Sequence, residues 1–321
     1  MDLVSIVMPA FNSSATIAFS IESVLAQSYD NFELIIVDDG SSDNTVDIVA
    51  EYVSKDRRVC LFHNKNGGSP AKARNCGIGK LSGRFLTFLD ADDLYAPNKL
   101  EIEVKVFHKL KKIGLVFANA MKFDELGETH ALIDDAYRRS LLAAGDHQGD
   151  DCVDLGAQFF KYMLLDKVCV NTQTAMIDLK KLDFTPFFNE DVRFAEDVDL
   201  WVRLAMITPV VYVDQCISQY RIHNTGVTYG FEGNEKYFLD TLFVYHSLAE
   251  KVMPEFSYRE KRRMKAKIAD LYLSLAYILE RKGSHKQAFR YYKASMRNSV
   301  NKNNFWGMLK TVGKGDGVAS T

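Results

Sequence analysis

Short apolar runs alternate with amphipathic stretches through the first third of the chain. Leu3–Met8 predicts a strand, stopped by Pro9-Ala10-Phe11-Asn12. Ser13 and Ser14 offer N-caps to a helix with Ile17, Ile21, Val24 and Leu25 on one face. Glu33–Val37 is a second strand ending in Asp38-Asp39-Gly40-Ser41. A helix carrying Val46, Val49 and Val53 then starts at Asp43 or Asn44. Arg58–His63 predicts a third strand, and the polar loop Asn64–Pro70 leads into a helix over about 70–81. Phe85–Leu89 predicts a fourth strand, apolar enough to be buried on both faces. This alternation is the pattern of βαβ units around a parallel sheet.

The pattern then loosens. Pro97 suits the first position of a helix over 98–112, and Gly114–Ala120 is another apolar strand. Residues 124–152 are polar and uneven, and are expected to form a mobile loop or lid. A helix around 156–165 and a strand around 172–177 follow. Phe194-Ala195-Glu196-Asp197-Val198-Asp199-Leu200-Trp201 is an acidic cluster leading into a helix. Val210–Val213 predicts a strand, and Tyr220-Arg221-Ile222-His223 closes the α/β body. Beyond about residue 233 only helical spacing remains. Leu271–Leu279 and Ala288–Met296 predict a hairpin whose small and aromatic residues are spaced like one tetratricopeptide unit. Such a hairpin packs on the body or forms a homodimer contact.

Composition changes this picture in two places. Net charge is −2, but residues 258–321 hold 15 Lys/Arg against 4 Asp/Glu, leaving 25 against 38 in the rest. A basic piece on an acidic body suggests contact with an anionic surface, beside the ordinary reading of a solvated helical face. The five cysteines (Cys60, Cys76, Cys152, Cys169, Cys216) are scattered without metal-like spacing. Several lie in apolar runs and read as buried thiols, which fits a reducing compartment. The opening residues carry no basic, apolar leader, and no apolar run approaches the length of a membrane span. These features predict a cytoplasmic protein, at most attached to the inner face of the membrane.

The chemistry concentrates where apolar strands meet carboxylates. Phe88-Leu89-Asp90-Ala91-Asp92-Asp93 puts three carboxylates within four positions at a strand's carboxyl end, where open α/β sheets bind ligands. Two readings stand on local sequence: an acidic turn capping the next helix, or a site whose repulsion is relieved by a hard divalent cation. Neither the glycine-rich dinucleotide fingerprint nor a GxxxxGK[ST] loop is present.

Several motifs in order resemble the family 2 inverting glycosyltransferases of the GT-A fold, over about residues 1–225. They are Val4–Asn12, Ser23–Tyr29, Glu33–Ser41, Asn66-Gly67-Gly68, Ala73-Arg74-Asn75-Cys76-Gly77, Phe88–Asp93 and Glu196-Asp197. Phe11 stands where the family usually has tyrosine. The resemblance implies an α/β GT-A fold, with a mostly parallel central sheet flanked by helices and a C-terminal all-helical extension. It implies a transferase domain over 1–232, with a donor half (1–112) and an acceptor half (113–232), then helices over 233–300 and a tail over 301–321.

By the same resemblance, Pro9, Phe11, Asp39, Asn66, Arg74, Asp90 and Ala91 bind the nucleotide sugar. Asp39 accepts from the base, most readily uracil N3–H, and Arg74 faces base or phosphate. For Phe11 an ordinary core role is an equal alternative. Asp92 is the first choice for a Mn²⁺ or Mg²⁺ ligand, with Asp90 and His223 completing the shell. Asp197 serves as general base and Glu196 supports it; Asp199 is structural. The expected reaction moves a hexosyl or N-acetylhexosaminyl group from a UDP-sugar to a glycan or lipid-linked glycan in cell-surface polysaccharide synthesis. No nucleic-acid partner is expected. Phe305, Trp306 and the basic residues between Arg259 and Lys267 motivate peripheral membrane contact. The alternatives are a sugar-phosphate nucleotidyltransferase and a non-catalytic donor-binding scaffold.

Overall fold

The computed structural model describes residues 1–65, 67–124, 126–149, 151–167, 170–223 and 233–312. The chain divides into two compact units. One comprises Met1–Phe160, Val168–Glu190 and Leu200–Gly226; the other Lys161–Lys167, Asp191–Asp199 and Val227–Thr321. The sequence pattern divides the chain only near residue 232, without the two short inner segments that group with the helices.

Helices α1 (Ile17–Leu25) and α2 (Thr45–Lys55) belong to the first unit, and α6 spans Phe159–Leu165. The first unit is built on one mixed sheet. Its strands are β1 (Val4–Ala10), β2 (Phe32–Asp38), β3 (Val59–His63), β4 (Phe85–Phe88), β5 (Leu94–Tyr95), β6 (Leu115–Asp124), β7 (Gly127–Ala131), β8 (Asp146–His147), β9 (Cys152–Gly156), β10 (Ala175–Asp178) and β11 (Val210–Arg221). The order is β3-β2-β1-β4-β10-β6-β11-β9-β8, with β5 on β11 and β7 on β6. The four strands read most clearly from sequence are parallel neighbours, with Val4 opposite both Phe32 and Phe85. In that register, β1, β2 and β4 end on one edge of the sheet. Past β4 the sheet is mixed, because β10 runs antiparallel to β4 and β6.

β4 is a strand because both its faces are buried. Phe85, Leu86, Thr87 and Phe88 are inaccessible to solvent. Phe85 stacks on Phe107 at 4.9 Å, and Phe88 meets Phe188 edge-on at 5.2 Å and Trp201 at 6.2 Å. Helix α3 (Pro70–Ile78) lies directly on β1 and β2. A Cβ at Gly77 would fall 2.5 Å from Val7 Cγ1, so the close approach needs glycine there.

Three expectations change. The supposed lid carries ordered elements: β7 extends a hairpin from β6, and α5 (Asp135–Ala144) is capped by Asp134, whose side chain accepts from Tyr137 N. Its polarity reflects exposed edge elements, not lack of structure. β11 is three times its expected length, because register shifts between Val213 and Ser218 interrupt its apolar alternation. Cys60, Cys76 and Cys152 are only half-buried and Cys216 is exposed; all four are free thiols. Cys169 lies outside the described residues.

The second unit holds helices α8 (Glu235–Val252), α9 (Tyr258–Arg281), α10 (His285–Asn298) and α11 (Lys302–Thr311). The expected hairpin is α9–α10, turning at Gly283 with φ 78°. Ala276, Ala288 and Tyr292 are fully buried in it. α11 occupies the stretch read as tail, started by a capping box between Asn301 and Asn304. Among the described residues no helix is long and apolar enough to cross a membrane.

A buried ion pair supports β4 in the first unit. On α4 (Lys99–Lys109), Lys99 Nζ donates to Glu103 Oε2 at 2.6 Å and to Thr87 Oγ1 at 3.0 Å, and neither side chain touches solvent. Burial pushes the Glu103 carboxyl up and the Lys99 ammonium down. Removing one partner strands the other, whereas replacing both leaves an apolar site. Lys99→Met is therefore expected to cost about 3–5 kcal/mol of stability in urea unfolding, and Lys99→Met with Glu103→Leu to recover most of it.

Candidate active site

The shared edge of β1, β2 and β4 gathers most of the residues singled out in the sequence. At the end of β1, Pro9 is half-buried and Phe11 is 51% exposed, which removes the core reading of that ring. Asn12 takes a left-handed φ of 48°, and its Oδ1 accepts from Ser42 N at 2.8 Å. The exits of β1 and β2 are thus tied together. Asp38 turns its carboxylate back on its own loop, accepting from Gly40 N and Ser41 N. Asp39 is buried, and its Oδ1 accepts from Asn64 Nδ2 at 2.8 Å and Gly67 N at 2.7 Å. Both bonds use one oxygen, which leaves acceptor capacity on Oδ2. Asn66 lies outside the described residues.

The carboxylates after β4 meet partners from two other elements. Arg74 on α3 donates to Asp90 Oδ1 at 2.7 Å, with its guanidinium 5.3 Å from the Phe188 ring. The His223 ring nitrogen Nε2 lies 2.8 Å from Asp92 Oδ2. Arg221 N donates to Asp93 Oδ1, and Arg221 Nε to Asp92 O, both at 2.8 Å. The unexpected extension of β11 thus carries Arg221 and His223 to the loop after β4. Ala91 is buried between the two accessible carboxylates.

The electrostatics follow from this geometry. Burial, then the charge of Asp90, raises the Asp92 pKa, while His223 pulls it back. Asp93 is pushed well above the usual carboxylate range by burial and by Asp92 and Asp90, and its buried Oδ2 has no hydrogen-bond partner. A cluster with this much negative charge in little solvent suits a cation. Among the described residues no three His, Cys, Asp or Glu side chains form a ready cage. Mg²⁺-type ions need none when one or two carboxylates share them with a ligand's phosphates, so the donor set fits.

A cleft of about 750 Å³ opens beside Asp39, lined by Asn64, Gly67, Lys72, Asn75, Phe188 and Glu190 among others. That size suits a small-molecule ligand. Asn75, whose role was not read from the sequence, closes one wall. Its Nδ2 donates to Phe188 O and Glu190 Oε1, and its Oδ1 accepts from Phe188 N. The only signal was its place beside Arg74.

The second acidic group is described within the second unit. Glu196 and Asp197 are half-buried in the first turn of α7 (Glu196–Ala205). Asp197 Oδ1 accepts from Val198 N at 2.7 Å, and Asp199 is buried. The preceding Ala195 has φ 62°, a strained conformation for a residue with a Cβ. Burial and then the Asp197 charge push the Tyr237 hydroxyl up.

The family model for Glycosyl transferase family 2 matches residues 5–165, half of the chain. The chain belongs to that family. It is similar to WfgD of Escherichia coli, a UDP-Glc:alpha-D-GlcNAc-diphosphoundecaprenol beta-1,3-glucosyltransferase. The two are 44% identical over 117 residues, covering 36% of this chain and 45% of that protein. In structure it is similar to S. aureus TarS 1-349 in complex with UDP. The TM-score is 0.61 at 15% identity, over 97% of this chain and 91% of TarS 1-349. The mannosyltransferase PcManGT from Pyrobaculum calidifontis, in complex with GDP-Man and Mn²⁺, aligns with TM-score 0.55 at 16% identity, over 94% and 77%. These likenesses establish the GT-A fold with a helical C-terminal region. The chain spans between 30% and 66% of the length of curated relatives it matches.

The contact of His223 with Asp92 yields a prediction. His223→Ala is expected to weaken Mn²⁺ affinity by about tenfold in the presence of nucleoside diphosphate, read by titration calorimetry. An unchanged affinity refutes a ligand role for the imidazole.

Proposed function

We propose that this chain is an inverting glycosyltransferase using a nucleotide-diphosphate sugar, with a UDP-sugar as donor. The observation that carries the reading is the shared strand edge, where Asp39, the Arg74–Asp90 pair and the Asp92–His223 pair meet. Support comes from family membership and from the ligands named for the fold neighbours, UDP and GDP-Man. The UDP-Glc donor in the name of WfgD supports uridine.

On this reading the base lies between Pro9, Phe11 and the Asp39 carboxylate, whose free oxygen accepts an imide N–H. Arg74 holds Asp90 in position to accept from ribose hydroxyls. Asp92, with Asp90 and His223 beside it, would hold a Mn²⁺ or Mg²⁺ that neutralises charge on the leaving diphosphate. Asp197 takes the proton from the acceptor hydroxyl as its oxygen bonds to the anomeric carbon. The bond from that carbon to the diphosphate oxygen breaks on the opposite side, and the diphosphate leaves with the electron pair. Configuration therefore inverts. Glu196 orients the acceptor and, as a neighbouring like charge, keeps Asp197 basic. The acceptor is a hydroxyl of a glycan or lipid-linked glycan in cell-surface polysaccharide synthesis.

Two measurements test this. A panel of nucleotide sugars with Mn²⁺, scored by release of nucleoside diphosphate, should single out UDP-sugars and lose the signal on chelation. Asp197→Asn should keep donor affinity while transfer falls by about 10²–10⁴-fold. Full transfer in that variant removes the general-base assignment.

A further inference from the structure

We propose that α11 is an interfacial anchor that seats its outer face on an anionic phospholipid surface. This proposal stands apart from the catalytic reading. The helix is built inside out. Its buried residues are Asn304, Gly307 and Thr311, while Phe305, Trp306, Leu309 and the following Val312 are between 41% and 59% exposed. At about 100° per residue, those four side chains fall within an arc of roughly 120°.

The inner face explains itself. A Cβ at Gly307 would meet the Tyr292 ring at 2.2 Å, so α11 lies close against α10. Asn304 Nδ2 donates to Ser299 O at 2.6 Å and to Ser295 Oγ at 3.1 Å. Thr311 Oγ1 donates to Met308 O at 2.9 Å. Fit and hydrogen bonds hold the helix without apolar burial. Nothing in that packing asks for aromatic residues outside, yet Phe305 and Trp306 stand edge to face there at 5.9 Å.

Charge selects the occupant. Lys302 and Lys310 are also exposed; by the same helical spacing Lys302 projects within the apolar arc and Lys310 just beyond its Trp306 side. Residues 258–321 carry 15 Lys/Arg against 4 Asp/Glu. A two-fold contact with a second copy would bring that excess against itself. An anionic bilayer compensates it, and Trp, Phe and Leu flanked by Lys suit the headgroup boundary.

The test is flotation of the full chain with phosphatidylcholine vesicles, with or without phosphatidylglycerol. The expected result is co-flotation with the anionic vesicles only. Anionic vesicles should also shift tryptophan emission to the blue. Of the two tryptophans, Trp201 is fully buried, so the shift reports Trp306. Phe305→Ser with Trp306→Ser and Leu309→Ser, and separately Lys302→Glu with Lys310→Glu, should each cut the bound fraction about tenfold or more. Their thermal unfolding, and nucleoside diphosphate release in solution, should match the parent. A parent chain that does not float, floats equally on neutral vesicles, or forms a dimer that the serine variant dissolves, overturns the proposal.

Discussion

Three carboxylates within four residues, at the end of a fully buried strand, are the constraint that the first unit answers. Unscreened, Asp90, Asp92 and Asp93 would drive each other's pKa values up and the loop apart. Each instead meets a donor from a different place: Arg74 from α3, the His223 ring from beyond β11, and the main-chain N–H of Arg221 on β11. α3, β4 and β11 must therefore converge on one edge. α3 reaches it because Gly77 lets the helix rest on Val7.

The same strand is held from beneath by groups that take no part in that edge. Tyr95 OH donates to Phe88 O at 2.5 Å, and Lys99 Nζ reaches Thr87 Oγ1. Thr87 Oγ1 in turn donates to Ala175 O at 2.7 Å, which ties β4 to β10. A loop bearing repelling charges is useful only if its base does not yield. A directional polar network under the strand specifies its position in a way that an apolar contact would not.

How much of this was legible in the sequence depends on burial. β1, β2 and β4 are buried on both faces, so each leaves a continuous apolar run with its polar motif directly after it. Asp39, Asp90 and Asp92 stand out for that reason, whereas Arg74 and His223 could be named only through the family resemblance. Elements that expose a face left weaker marks. β7, α5 and β8 read as a loop because little in them is apolar. β11 read short because its irregular register breaks the alternation at Asp214–Cys216. Lys99 and Glu103, four apart on an amphipathic helix, have the spacing of a surface pair and are fully buried. The grip of Arg221 on Asp93 runs through a backbone N–H, which has no signature in residue type. α11 escaped because its pattern is inverted relative to a helix that packs by apolar burial.

The three carboxylates are unequal, and their partners rank them. Asp93 is 1% exposed and closed in by β11, so an incoming ligand cannot reach it; its charge acts on its neighbours. Asp90 and Asp92 are open to similar degrees, at 32% and 35% of their side chains. They differ in what faces them. A guanidinium keeps its charge at every physiological pH, so Asp90 is permanently compensated. An imidazole nitrogen, unlike a guanidinium, can ligate a metal as well as bond a carboxylate. Asp92 is therefore the carboxylate whose partner could join it in holding a cation that carries a diphosphate.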